Sequence, residues 1–413
     1  MKLSIRSLCA EACRVYVAIS VVCIALLAAS CSSDRDGEPP IATPEAAVEH
    51  TLFMYLPWST DLTSCFYQNI ADLEESIVSQ GGLDNQRVVV FISTSATAAK
   101  LFEITYADGQ CQRRDIKSYE SPSLTTADGI SSILSDVKAA APAVRYAMTI
   151  GCHGMSWLPV TPSGTDNEMA ATHKAAMAWR PETALLTRYF GAKDKAYQTD
   201  ISTLAQAISE AGIRMDFILF DDCYMASVEV AYELKDVADY IIASTCEVMA
   251  YGMPYAAMGR HLMGEPDYEA ACDEFYAFYS NYTIMPCGTL SVTDCSQLDG
   301  LASVMKRINS AYDFDTSISS SLQALDGYSP TLFYDYGDYV SRLVGADNPQ
   351  LLAEFDEQMA RTVPYRVNTP TYYAARLNRA LPIRTYSGLT TSDPSSHNLA
   401  ADRVHTAWWK ATH

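Results

Sequence analysis

Short apolar runs that stop abruptly at polar residues, with helical spacing between them, constrain this chain more than any other feature. Residues 51–57, 87–93, 146–151, 215–220 and 240–244 are too short for buried helices and read as strands, and 101–106 alternates like a half-buried one. Residues 64–79 place Phe66, Ile70, Leu73 and Ile77 on one helical face, and 126–140, 203–212 and 225–236 also read as helices. Strands separated by helices need crossover connections, so the expected fold is α/β: a mostly parallel sheet flanked by helices on both faces. Reactive groups in such sheets gather beyond the carboxyl ends of the strands. Past residue 296 the spacing changes, and 298–310, 316–325, 334–343 and 351–360 predict a helix-rich C-terminal region packed on the core.

Composition narrows the function classes. The chain has 413 residues, 49% of them hydrophobic, which excludes wholesale disorder. Its 49 acidic side chains against 29 basic ones give a net charge of -20. No basic face is available to neutralise phosphates, so no nucleic-acid partner is expected.

Lys2, Arg6 and Arg14 precede an uncharged run from Val15 to Ser30, which is too short for a spanning helix and ends in Leu27-Ala28-Ala29-Ser30-Cys31. Small residues directly before a cysteine resemble a bacterial lipoprotein signal. That resemblance implies cleavage before Cys31, lipidation of its thiol, and a cell-envelope location on the periplasmic face or the cell surface. Alanine at the third position before Cys31 departs mildly from the usual pattern. The expected organisation is a signal peptide at 1–30, a Pro-containing tether at 31–48, an α/β core domain at 49–295 and the C-terminal region at 296–413.

Twelve cysteines occur, of which three leave with the signal and one would carry lipid. The remaining eight show no compact disulfide framework and no CxxC pair, so zinc is not expected. No EF-hand loop, P-loop or G-x-S-x-G elbow occurs, and neither a metal site nor a cofactor is expected.

His153 and Cys223 each fall within three residues after an expected strand, so one sheet edge can carry both. A thiol becomes a nucleophile when its thiolate is stabilised and a base stands near. Cys223, ahead of a helix expected from about Met225, would feel the positive helix end. Gly154 lets the backbone turn and leaves an unobstructed N–H; with the Cys223 N–H it can stabilise an oxyanion. The pattern alone equally fits a buried structural cysteine and a turn histidine.

Phe220-Asp-Asp-Cys-Tyr-Met225, continuing through Ser227 to Tyr240 and on to Met253-Pro254-Tyr255, resembles the clostripain family of cysteine peptidases. Ile150-Gly-Cys-His-Gly-Met-Ser-Trp157 is similar to that family's His-Gly block, and 289–298 is a weaker match. The resemblance implies a caspase-like fold and a dyad in which Cys223 attacks the peptide carbonyl and His153 moves the protons. It also implies an oxyanion hole from the Gly154 and Cys223 amides, and Asp221 as the carboxylate that receives Arg or Lys. Asp221 can alternatively be read as a carboxylate that caps the start of the following helix. Asp222 stands where the family has a small residue; turned toward Cys223 it would raise the thiol pKa. Cys152 beside His153 is a second thiol that can oxidise with Cys223. The resemblance further implies self-cleavage between the two blocks, for which 163–199, with Lys174, Arg180, Arg188, Lys193 and Lys195, is the expected target. Peptide or protein substrates with basic residues are the expected partners of a monomeric, lipid-anchored enzyme. The competing reading is a catalytically silent surface-binding protein that keeps the fold.

Overall fold

Alternation along strand β1 (Val48–Leu56) decides the layering of the molecule. Leu52, Met54 and Leu56 belong to one hydrophobic core and Phe53 and Tyr55 to another, because successive side chains leave a strand on opposite faces. The computed structural model describes residues 48–160, 191–192 and 195–413; the expected signal peptide, Cys31 and nearly all of the tether lie outside them. Helix α1 (Thr63–Gln80) turns Phe66, Ile70, Leu73 and Ile77 into the Leu52 side, where all four are fully buried. Each such side chain contributes roughly 1.5–3 kcal/mol. Gly81 at φ 89° closes the helix by donating its N–H to Ile77 and Val78 carbonyls.

Strands β2 (Gln86–Ser95), β3 (Ala98–Ala107) and β4 (Gln110–Glu120) follow, then α2 (Ala127–Ala140) and β5 (Ala143–Ile150). After them come α3 (Ile201–Glu210), β6 (Met215–Phe220), α4 (Val228–Leu234), β7 (Ala238–Ala243), a helical turn α5 (Tyr255–Met258), α6 (Tyr268–Ser280) and β8 (Thr289–Asp294). The last stretch carries α7 (Leu298–Ala311), β9 (Tyr334–Asp335), α8 (Tyr336–Val344), α9 (Pro349–Thr362), β10 (Tyr365–Asn368), β11 (Thr371–Ala374), β12 (Arg379–Pro382), β13 (Thr390–Thr391) and α10 (Ala407–Thr412).

Nine strands form the central sheet in the order β10-β8-β7-β6-β5-β1-β2-β3-β4. The five in the middle, β7-β6-β5-β1-β2, run parallel, and the strands at both edges are antiparallel. The fold is therefore α/β with a mixed sheet whose centre is parallel. Helices α2, α3, α4, α7, α8, α9 and α10 bury apolar faces on one side of it and α1, α5 and α6 on the other.

Three local departures from the sequence reading have physical causes. Strand β4 is polar along most of its length because it is an exposed edge, so apolar spacing does not announce it. Residues 316–325 yield only a 3-10 segment, Thr316–Ser321, started by Asp315. The region past 296 also returns β10 to the sheet beside β8, with Val367 opposite Leu290.

One buried ion pair fixes the β2–β3 register. Arg87 donates to Glu103 at 2.6 and 3.1 Å, and Arg114 of β4 donates to the same carboxylate. Burial would raise the Glu103 carboxyl, but the two guanidinium groups overcome this and hold it below its ordinary value. A lowered native pKa contributes stability that is present above the unfolded value and lost as pH falls through the native one. Arg87→Ala, which leaves Glu103 buried without its main partner, is expected to cost about 3–5 kcal/mol at pH 7. The deficit relative to wild type should shrink in urea unfolding at pH 3.

Candidate active site

Four neighbouring parallel strands end at one rim, and each supplies a part of the site. His153 follows β5 and Cys223 follows β6; Ile150 and Phe220 are register partners, and the Asp221 N–H continues the ladder by donating to the Ile150 carbonyl at 2.7 Å. A Cβ placed on Gly154 would stand 2.3 Å from the Cys223 carbonyl oxygen and 2.9 Å from its nitrogen. The loop carrying the imidazole and the loop carrying the thiol are thus in backbone contact. Gly154 is required by this close approach, not by a left-handed turn.

Both candidate residues are buried, His153 at 1% exposure and Cys223 at 0%. The Cys223 Sγ accepts the Val248 N–H at 3.2 Å from the loop after β7. The Sγ also lies 3.8 Å from the Val248 carbonyl as a donor, so backbone of the loop after β7, not the start of α4, meets the sulfur. The helix expected near Met225 begins at Val228, since Ser227 caps it through Val230 N–H while Tyr224 and Ala226 donate to the Cys246 and Ser244 carbonyls. Tyr224, directly after the cysteine, has φ 62°, a conformation costly for a bulky residue. It is held by its hydroxyl on Glu247 at 2.8 Å and by its ring on Phe333.

The aspartates separate in role. Asp222 faces neither solvent nor open space: it is fully buried, its Oδ1 accepts the Cys152 N–H, and its Oδ2 lies 3.6 Å from the Cys152 Sγ. The carboxylate is thereby committed to the neighbouring loop. Asp221 is also fully buried, and its Oδ1 accepts the Met253 N–H at 2.9 Å. It caps no helix start, because α4 begins seven residues on. The second thiol, Cys152, accepts the Gly191 N–H at 3.1 Å. No disulfide joins the eight cysteines of the described residues.

Asp61, in the loop after β1, escaped the sequence reading. Its Oδ1 lies 2.7 Å from His153 Nε2. It lies five residues past β1, farther from its strand than His153 or Cys223 is from its own, and only the pairing of β1 with β5 brings it to the same rim.

A further chain of contacts reaches the far C-terminus. Trp157 donates to Ser392 at 3.0 Å, and the Ser392 N–H and Thr391 hydroxyl donate to Glu229 of α4. Burial first, and then the neighbouring Asp393, push the Glu229 carboxyl up to about 7.

The clostripain family model matches residues 166–363. A secreted C11 cysteine protease from Bacteroides thetaiotaomicron, iotapain, is 51% identical, with 89% of this chain and 100% of that one covered and a TM-score of 0.81. The chain belongs to the clostripain family of cysteine peptidases. A clostripain from the same species, solved with the peptide inhibitor BTN-VLTK-AOMK, is 58% identical over 55% of this chain and 99% of its own, with a TM-score of 0.53. An inactive zymogen C11 protease from Parabacteroides distasonis is 25% identical over 89% of this chain and 99% of its own, with a TM-score of 0.72. No curated protein matches.

In this clostripain-family chain the backbone contact at Gly154 is the tightest constraint on the rim. Gly154→Ala is expected to lower stability by about 1–3 kcal/mol through overpacking. An unchanged urea midpoint would show that the two loops can separate at no cost.

Proposed function

We propose that this protein is a lipid-anchored cysteine endopeptidase that cleaves after Arg or Lys with a Cys223/His153 dyad. The observation that carries the reading is the contact of Gly154 with the Cys223 backbone, which brings the imidazole loop against the thiol loop.

In the proposed reaction His153 takes the Cys223 proton, and the thiolate adds to the carbonyl carbon of the scissile bond. The Gly154 and Cys223 amides stabilise the oxyanion. The imidazolium then protonates the leaving amine as the C–N bond breaks, leaving a thioester. His153 next accepts a proton from water, whose oxygen attacks the thioester and releases the carboxylic acid and the thiol. The Val248 N–H on Sγ favours the thiolate.

Asp221 is proposed as the selector for a basic side chain. Asp221 keeps the Met253 N–H as a donor, and an ammonium or guanidinium would add the opposite charge that a buried carboxylate favours. The lysine in VLTK, the peptide of the inhibitor bound by the 58% identical clostripain, supports this choice. Anchoring through Cys31 rests on the lipoprotein-like signal, and no helix among the described residues is long and apolar enough to cross a membrane. The proposed division is a catalytic core at 49–295 with the C-terminal region packed on it.

Burial of His153 and Cys223 fits a chain that must rearrange before substrate enters, as a cut between the two blocks would allow. Of the basic residues proposed as targets, Lys174, Arg180, Arg188 and Lys193 lie outside the described residues, and Lys195 begins a 3-10 turn, Lys195–Tyr197. The same burial favours the second reading, a catalytically silent binding protein.

Turnover of fluorogenic peptides that differ only in the residue before the scissile bond separates the two. The dyad predicts cleavage after Arg and Lys and a loss of about 1000-fold or more in Cys223→Ala. Equal rates for both proteins would establish the silent reading. On a denaturing gel, wild type should resolve into two fragments while Cys223→Ala stays intact, and identical bands would refute self-processing.

A further inference from the structure

We infer that Asp61 is a positioning residue for His153, making the proposed dyad a three-membered unit. The inference rests on the Cys223/His153 reading and adds to it a carboxylate from a third strand end.

Three observations carry it. The Asp61 Oδ1 to His153 Nε2 distance of 2.7 Å is that of a charge-assisted hydrogen bond. His153 is buried while Asp61 is a quarter exposed, so the carboxylate stays hydrated on one side and presents its charge to an imidazole that water does not reach. A buried imidazolium without such a neighbour is costly. Finally, the loop is bent to make the contact. Thr60 has φ 77°, an outlier for a β-branched residue. The next residues anchor the bend: Asp61 N–H donates to the Ser59 carbonyl at 3.0 Å, and Leu62 is fully buried at the start of α1.

With Nε2 held by Asp61, the nitrogen assigned to the thiol is Nδ1. Asp61 keeps its charge throughout. It fixes the ring orientation and tautomer and stabilises the imidazolium that forms when Cys223 loses its proton. Other titratable groups near this rim include Asp222 and Cys152, which hold one another, Cys223, the buried Asp221 on the Met253 N–H, Glu247 on the Tyr224 hydroxyl, and Tyr55 close to Cys152. Cys152 also donates to the His153 carbonyl at 3.3 Å.

The test compares Asp61→Asn, Asp61→Glu and Asp61→Ala with His153→Ala in the full chain, using a peptide substrate cleaved by wild type. Asp61→Asn should lower kcat about 100-fold or more with KM within about twofold, and Asp61→Glu should recover part of the loss. Loss of the carboxylate lowers the imidazolium pKa, so the alkaline limb of kcat/KM should move to lower pH in Asp61→Asn. A kcat within about threefold of wild type with an unmoved limb, while His153→Ala is inactive, would overturn the positioning role and leave the dyad standing. A lowered thermal midpoint with no limb shift and no rescue by Glu would also overturn it, in favour of a structural role. Full activity in His153→Ala would remove the dyad itself.

Discussion

The pairing of β5 with β6 is the constraint from which the site follows. Parallel strands in register end at the same height, so the residues after Ile150 and Phe220 emerge together, and the Asp221 N–H extends the ladder one step further. Where two chains leave a sheet side by side, their next residues compete for the same space. A glycine on one side resolves the competition, and Gly154 lies against the Cys223 peptide with no room for a methyl group. Proximity of the two loops is therefore a property of the sheet, not of loop flexibility.

The neighbouring strands complete the rim in the same way. Asp61 arrives from β1 on one flank and Val248 from β7 on the other, so four adjacent strand ends meet around one imidazole and one sulfur. The buried carboxylates that this gathering requires are each given a donor. Asp222 takes the Cys152 amide and Asp221 the Met253 amide, and neither is left to electrostatics alone.

What the sequence made legible was the apolar skeleton. Runs such as Arg87 to Ser93 and Met215 to Phe220 read as strands because the central sheet is covered on both faces and needs continuous hydrophobicity. The same logic placed His153 and Cys223 at strand ends. It did not reach β4, whose outward residues are solvated, or β10, in which three residues are partly buried and Arg366 is exposed. Asp61 sits in a polar loop that carries no signature of its own, and only the neighbourhood of β1 and β5 gives it meaning. The helix α4 starts later than the spacing of Met225 and Ala226 suggests because Ser227 caps it, while the Ala226 amide donates to Ser244 and its carbonyl accepts from Thr390. Capping chemistry of that kind is visible in a sequence but ranks below tertiary pairing until the partners are known.

Residues 365–392 brace segments that lie far earlier in the sequence. Thr390 bridges to Ser227, Ser392 holds Trp157, and β10 closes one edge of the sheet. A nascent chain emerging from the ribosome carries the imidazole and the sulfur long before those braces are made. The loops after β5 and β6 therefore stand without these braces until residues 365–392 have been made.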